Sequence, residues 1–173
     1  MKCHIYADNA ATTKLDTVAF EAMTPWLLEE YGNASQPYAF ARKPKKALAE
    51  ARTTIAECIG ALPEEIYFTS GGTESDNWVI KSSAFLDLDK RAMITSAFEH
   101  HAILHSCTVI ERLGYPVAYM WPTADGYITP EILEKYITGS TRIVSVMFAN
   151  NEIGTIQPIR ELCKVAHTHG ALF

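Results

Sequence analysis

The sequence predicts an α/β fold, with a mostly parallel sheet and helices on both of its faces. Beyond residue 60, short apolar segments of strand character alternate with longer helical segments, and such repeated strand–helix units favour parallel pairing. The apolar segments are continuous rather than alternating with polar residues, which is typical of strands covered on both faces. The composition, with 48% apolar and 20% charged residues, is that of a globular domain.

Two helices are predicted ahead of the first strand. The first begins at Asp16, whose carboxylate suits an N-cap, and the second closes at Gly60, a residue that favours a helix end. Their predicted spans are from Asp16 to about Tyr31, ended by Gly32, and from about Phe40 to Cys58.

Four strands and four helices are predicted after residue 60. The strands are the apolar segments at residues 66–69, 92–95, 117–121 and 143–148. The helices are expected from Thr73 to Phe85, from His101 to Leu113, from Pro130 to Ile137 after the cap Thr129, and from Pro158 to His169. Residues 170–173 have the pattern of the first residues of a fifth strand, so we expect a chain truncated at the start of that strand.

Charge and hydropathy restrict the class of protein. The net charge of −5 argues against a general binder of nucleic acids or membrane surfaces, and no apolar segment approaches a membrane span. The N-terminus lacks the apolar stretch of a signal peptide, so the expected location is the cytoplasm. The cysteines form no C-x-x-C pair, and we expect them to be mostly buried and unreactive. They are Cys3, Cys58, Cys107 and Cys163.

The residues that follow each predicted strand are the candidate site, because ligands bind beyond the carboxyl ends of parallel strands. After the first strand, Gly71 and Gly72 let the backbone approach a ligand, and the next helix offers free N–H groups. Thr73 and Ser75 add hydroxyl donors. The pattern indicates an anion site or, equally, a tight turn with capping residues; it is neither a P-loop nor a dinucleotide fingerprint.

After the second predicted strand, His100 lies at the strand-to-helix junction. An imidazole there can stack on a planar ring or transfer protons, and the alternative is a hydrogen-bonded loop histidine. His101 and His105 are one helical turn apart and form only a weak metal pattern with Glu99, so we predict no metal site.

After the fourth predicted strand, Asn150 and Asn151 are consecutive. Such residues make turns, and an amide at this position can also hydrogen-bond a ligand oxygen or carboxylate. The residues alone leave both interpretations open.

These loops occur in order with further motifs along the chain. The motifs lie at residues 6–13, 31–35, 40–43, 68–77, 99–104 and 150–154. Together they resemble the N-terminal part of a cysteine desulfurase, a pyridoxal 5'-phosphate (PLP) enzyme of fold type I in the class V aminotransferase superfamily. The resemblance extends from about Ile5 to Phe173.

The resemblance implies a role for each candidate residue. Gly72 and Thr73 would hold the phosphate of PLP, His100 would stack on the pyridine ring as the catalytic acid–base group, and Asn151 would contact the ring oxygen and the substrate carboxylate. The implied reaction removes sulfur from L-cysteine, giving L-alanine and an enzyme persulfide for iron–sulfur cluster or thio-cofactor synthesis. The family further implies a homodimer and a scaffold or sulfur-acceptor protein as partner.

The resemblance also implies a domain organisation. Residues 1–15 would be an N-terminal arm, and residues 16–173 the first half of an incomplete PLP-binding large domain. The family's Ser-x-His-Lys motif, which carries the lysine that holds the cofactor, does not occur in this sequence, so we expect the 173 residues to be inactive alone. The alternatives are another class V aminotransferase, a selenocysteine lyase or a non-catalytic remnant.

The family's sheet order, 3-2-4-5-6-7-1, separates the strand at residues 66–69 from the fourth strand. The backbone N–H and C=O groups of that strand would then have no partner strand, which is costly when they are buried. We therefore expect another chain to fill the gap, the strands to re-pair, or the structure to be a piece of a larger assembly. An unpaired but fully buried segment would contradict this expectation.

Overall fold

The structure is a computed structural model that describes residues 4–86, 89 and 91–173. It divides into two compact units, Met1–Phe68 and Thr69–Phe173, which are described separately below. The predicted boundary between residues 15 and 16 stays a prediction. Cys3 lies outside the described residues.

The first unit is helical, with α1 (Thr17–Leu28) and α2 (Arg42–Ile59). The Asp16 carboxylate caps α1 by accepting a hydrogen bond of 2.8 Å from the Val18 N–H, as predicted. The helix ends at Leu28 rather than near Tyr31, because the N–H groups of both following residues bond to the carbonyl of Pro25 and the regular pattern stops there. Gly60 ends α2 with a φ of 70°, which confirms its predicted role.

The strand predicted at residues 66–69 is wrong. Among the described residues this segment belongs to no sheet, although Ile66 is extended, with φ −94° and ψ 120°. The Arg52 side chain donates to the Ile66 carbonyl at 3.3 Å and lies over the Phe68 ring at 5.2 Å. Tyr67 is 69% exposed, so the segment is not a buried strand. Strand propensity is not sufficient here, because a strand also needs a neighbour to complete its hydrogen bonds.

The second unit contains the sheet. Its strands are β1 (Ala92–Ser96), β2 (Val117–Met120) and β3 (Thr141–Ser145), which among the described residues form a three-stranded parallel sheet in the order β2-β1-β3. This arrangement matches the 3-2-4 part of the expected order. Leu172 forms a parallel bridge with Ile143 on the outer side of β3, where the fifth strand is expected to begin.

Two strands end earlier than predicted. β2 stops at Met120, and β3 covers 141–145 instead of 143–148. Met147 and Phe148 leave the sheet because their backbone groups bond elsewhere. The Met147 N–H donates to the Glu99 carboxylate at 2.9 Å, and the Phe148 carbonyl accepts from the Gln157 N–H at 2.8 Å.

In the described residues of this unit, the sheet is covered by four helices: α3 (Gly72–Leu86), α4 (His101–Arg112), α5 (Pro130–Tyr136) and α6 (Ile159–Thr168). Their bounds lie within two residues of the predicted ones, and Thr129 caps α5 as expected. Among the described residues, none of the helices is long and apolar enough to cross a membrane.

Apolar cores lie on both faces of the sheet, which confirms the predicted layering. Met93 and Ile94 are consecutive in β1 but belong to different cores, because side chains alternate across a strand. The core with α5 and α6 contains Ile94, Met120, Ile128, Leu133, Ile137, Val144, Leu162, Ala166 and Ala171. The core with α3 and α4 contains Ile80, Ala84, Met93, Ile103, Cys107, Ile110 and Ile143.

Candidate functional site

The glycine-containing loop before α3 is held by its own side chains. The Glu74 carboxylate accepts from the Ser70 N–H at 2.6 Å and from the Ser70 hydroxyl at 2.7 Å. These hydrogen bonds, first from the backbone and then from the hydroxyl, lower the pKa of Glu74 by stabilising its charged form. The hydroxyls of Thr69 and Ser75 lie 2.7 Å apart. Within the described part of the chain, none of these hydrogen bonds uses the N–H groups of Gly72 and Thr73, which begin the helix.

Gly72 and Thr73 occupy the first turn of α3. Backbone N–H groups in a first turn have no acceptor within the helix, and the positive end of the helix dipole lies there. A Cβ added to Gly72 would meet no described atom within 4 Å, so space for an anion is open on this side. Thr73 borders an open cavity of about 530 Å³ together with Ser70 and Lys81.

His100 is the N-cap of α4. Its Nδ1 accepts a hydrogen bond of 3.1 Å from the Ala102 N–H. The neutral ring therefore carries its proton on Nε2, which leaves an N–H that can be donated to a ligand. The side chain is exposed. His100 can therefore be both a hydrogen-bonded loop histidine and a ligand-contacting one, because Nδ1 caps the helix and Nε2 is available.

Asn150 and Asn151 have different environments. Asn150 is 7% exposed, and its amide makes three hydrogen bonds, to the Phe98 carbonyl at 3.0 Å and from the N–H groups of Glu152 and Ile153 at 2.8 and 2.9 Å. Asn151 is exposed. The turn-forming role belongs to Asn150, whereas the amide of Asn151 remains the candidate for a ligand.

The structure brings His100 and Asn151 to one cavity of about 260 Å³, which Phe98 and Ile153 also border. Thr73 borders a different cavity, and Gly72 borders neither of the two. The roles assigned to Gly72, Thr73, His100 and Asn151 stay predictions.

A second cavity beside His100, of about 200 Å³, connects it to α3 and to the end of β3. Asp76 and Glu99 border it together with Ser145 and Met147. Burial raises the pKa of Asp76, and the nearby His100 opposes that shift. Burial also raises the pKa of Glu99, against the hydrogen bonds from Ser96 and Met147. Two carboxyl groups with raised pKa values therefore lie beside the exposed imidazole.

The weak metal pattern is not assembled. The rings of His101 and His105 stack at a centroid distance of 5.4 Å, and the Glu99 carboxylate bonds to Ser96 and Met147 instead. Within residues 4–86, 89 and 91–173, no group of three or more His, Cys, Asp or Glu side chains is arranged to hold a metal ion.

The cysteines differ from one another in exposure. Cys107 is fully buried, and burial raises the pKa of its thiol to about 11. Cys163 is partly exposed, with its sulfur 3.6 Å from His167 Nε2. Cys58 is exposed, so the expectation of mostly buried cysteines is wrong for this residue. Among the described residues, Ala56 is the one residue of α2 that is buried.

The sequence does not predict three residues that border the cavities beside His100: Asp76, Glu99 and Asn150. Asp76 follows the glycine loop by one helical turn, and this spacing is a usable signal. The sequence offers only a weak metal pattern for Glu99, and for Asn150 it leaves turn formation and ligand binding both open. Their roles depend on contacts with residues 48 and 52 positions away, which no local pattern contains.

The fold and these loops define an α/β protein in which two of the candidate site residues, His100 and Asn151, follow the carboxyl ends of parallel strands and border one cavity. The profile of the Aminotransferase class-V family matches residues 5–173. The chain belongs to that family.

Known relatives support the same assignment. A cysteine desulfurase IscS of Dictyoglomus turgidum is 46% identical over 174 residues, which cover 100% of this chain and 44% of that protein. A cysteine desulfurase IscS of Methanosarcina thermophila is also 46% identical, over 98% of this chain and 42% of its own length. The chain therefore spans less than half the length of these relatives.

Two solved structures share the fold. One is a NifS-like protein with a TM-score of 0.90 and 35% identity, covering 94% of this chain and 45% of that one. The other is SspA in complex with cysteine, with a TM-score of 0.92 and 38% identity, covering 96% of this chain and 48% of that one. The resemblance to cysteine desulfurases and the fold class are confirmed.

Proposed function

We propose that this chain forms the N-terminal part of the PLP site of a cysteine desulfurase. The observation that carries the proposal is the cavity that His100 and Asn151 share beyond the carboxyl ends of β1 and β3. The family assignment supports PLP as the cofactor and L-cysteine as the substrate. One solved relative is described as a complex with cysteine, in agreement with that substrate.

The residues present fit such a cofactor chemically. The N–H groups of Gly72 and Thr73 and the Thr73 hydroxyl are donors at a helix N-terminus, which is the donor set that a phosphate group requires. The imidazole of His100 is exposed and can cover one face of a planar ring. The amide of Asn151 can donate to a ring oxygen or to a carboxylate.

Each side chain has a defined task in this proposal. When bound, the cofactor supplies an electron-withdrawing ring that stabilises negative charge on the substrate. His100 holds a proton at Nε2 and orients the ring, while its Nδ1 stays bonded to the Ala102 N–H. Asn151 binds the substrate carboxylate, and the first turn of α3 holds the phosphate.

We also propose the family's wider context for this protein. A homodimer, an iron–sulfur scaffold or sulfur-acceptor protein as partner, and a cytoplasmic location are part of it. The 173 residues are expected to bind PLP without turning over L-cysteine, because the sequence holds no Ser-x-His-Lys motif. A selenocysteine lyase or another class V aminotransferase is the second candidate, and product analysis with L-cysteine and L-selenocysteine separates them.

Titration of the chain with PLP, followed by the cofactor's absorbance and circular dichroism, tests the proposal. His100→Ala is expected to weaken binding about fivefold, since an aromatic stacking contact contributes about 1 kcal/mol beyond its buried area. His105→Ala is the matched control, because His105 is an exposed histidine of the same helix and does not border the shared cavity. No binding by the unchanged chain, or equal losses in both variants, would contradict the proposal.

A further inference from the structure

Glu99 is a buried carboxylate between the ends of two strands. It lies in the turn from β1 to α4, directly before His100, and only 8% of its surface is exposed. An ionised group in such a place is costly unless it accepts hydrogen bonds. Its partners therefore indicate what it does.

The Glu99 carboxylate joins β1 to the segment after β3. Its Oε1 accepts from the Ser96 hydroxyl, at the end of β1, and from the Met147 N–H at 2.9 Å. Met147 lies beyond the last residue of β3, four positions before Asn151. One carboxylate thus connects the turn that carries His100 with the segment that carries Asn151.

A second side chain connects the same two segments, but it starts from the segment that carries Asn151. The Asn150 amide donates to the Phe98 carbonyl at 3.0 Å, in the turn before His100. One side chain from each segment therefore hydrogen-bonds to the backbone of the other segment. His100 and Asn151, the residues next to these two side chains, border the shared cavity, and so do Glu99 and Asn150 themselves.

We propose that Glu99 is a positioning residue that holds the His100 turn and the Asn151 segment at a fixed separation, and thereby shapes the cavity between them. The inference rests on the proposed function only for the identity of the ligand. Glu99 also borders the shared cavity, but its Oε1 is bonded to Ser96 and Met147, so its effect depends on the reach of the side chain rather than on its charge.

Two conservative variants separate reach from charge. Glu99→Gln loses the charge but keeps an oxygen at the same distance, which can accept from both Ser96 and Met147. Glu99→Asp keeps the charge but is one methylene shorter, so it cannot reach the Met147 N–H without moving the turn. A positioning role predicts a normal Gln variant and an impaired Asp variant, and a role for the charge predicts the reverse.

The experiment uses the 173-residue chain and two readouts. The first is the set of backbone amide resonances of His100, Met147 and Asn151, and the second is the affinity for PLP. We expect Glu99→Asp to move all three resonances and weaken PLP binding about tenfold, the effect of losing one hydrogen bond to a charged group. Glu99→Gln is expected to stay within about threefold of the unchanged chain, less than one such bond.

Leu133→Ala controls for general destabilisation, since Leu133 is fully buried in the core on the α5 and α6 face and does not border the cavity. A loss of affinity in this control equal to that of the Asp variant overturns the proposal, as does a Gln variant as weak as the Asp variant. If the unchanged chain does not bind PLP, the proposed function fails, and the three resonances still decide the role of Glu99. Unmoved resonances in Glu99→Asp overturn it.

Discussion

Replacing Asn150 by alanine is expected to lower the free energy of unfolding by about 2 kcal/mol, whereas the same change at Asn151 is expected to cost less than about 0.5 kcal/mol. The Asn150 amide makes three hydrogen bonds, each with a typical net contribution of about 1 kcal/mol. Two of them come from backbone N–H groups of exposed residues, Glu152 and Ile153, where water replaces part of the loss. The sum is therefore reduced from about 3 to about 2 kcal/mol.

Urea unfolding followed by far-ultraviolet circular dichroism measures both variants under one condition. Amide hydrogen exchange at Glu152 and Ile153 reports whether the Asn150 turn has opened. The affinity for PLP gives a different ranking, because Asn151→Ala is expected to weaken binding while leaving stability unchanged. Equal stability losses in the two variants would refute the assignment of the turn to Asn150.

Three further outcomes are expected. Cys58 is expected to react with a thiol reagent well before Cys107, whose thiol is buried and has a pKa raised to about 11, and mass spectrometry of the labelled native chain measures the order. Thr95→Val is expected to stabilise the protein by about 1 kcal/mol, because within the described residues its buried hydroxyl has no hydrogen-bond partner. Thr141→Val is the destabilising control in the same unfolding assay, since that buried hydroxyl accepts from the Thr138 N–H at 3.0 Å. Burial raises the pKa of Glu99 above 4.5, so the native chain binds more protons there than the unfolded one and loses stability as the pH rises from 4.5 through the folded-state pKa. The glutamine side chain of Glu99→Gln does not titrate, so the unfolding free energy of this variant relative to that of the unchanged chain is expected to increase over that pH window. A difference between the two free energies that stays constant over the window would contradict the raised pKa of Glu99.

The sequence alone was sufficient for features that depend on residues a few positions apart. The caps Asp16 and Thr129 and the helix end at Gly60 lie where predicted, because each satisfies backbone groups within its own turn. The positions of β1 and α4 follow from hydrophobic periodicity, so His100 could be placed at their junction. The sheet order was inferred from the family resemblance rather than from any local pattern.

Only the tertiary structure decided features that depend on distant partners. Residues 66–69 have the composition of a strand and yet belong to no sheet among the described residues, because strand formation needs a neighbour that propensity does not supply. Asn150 and Asn151 are the same residue type in sequence. The hydrogen bond from the Asn150 amide to the Phe98 carbonyl, 52 positions away, distinguishes the buried Asn150 from the exposed Asn151. Glu99 acquires its partner Met147 from 48 positions away in the same manner. Local patterns encode contacts within a turn, whereas burial and pairing across a sheet arise only when the chain has folded.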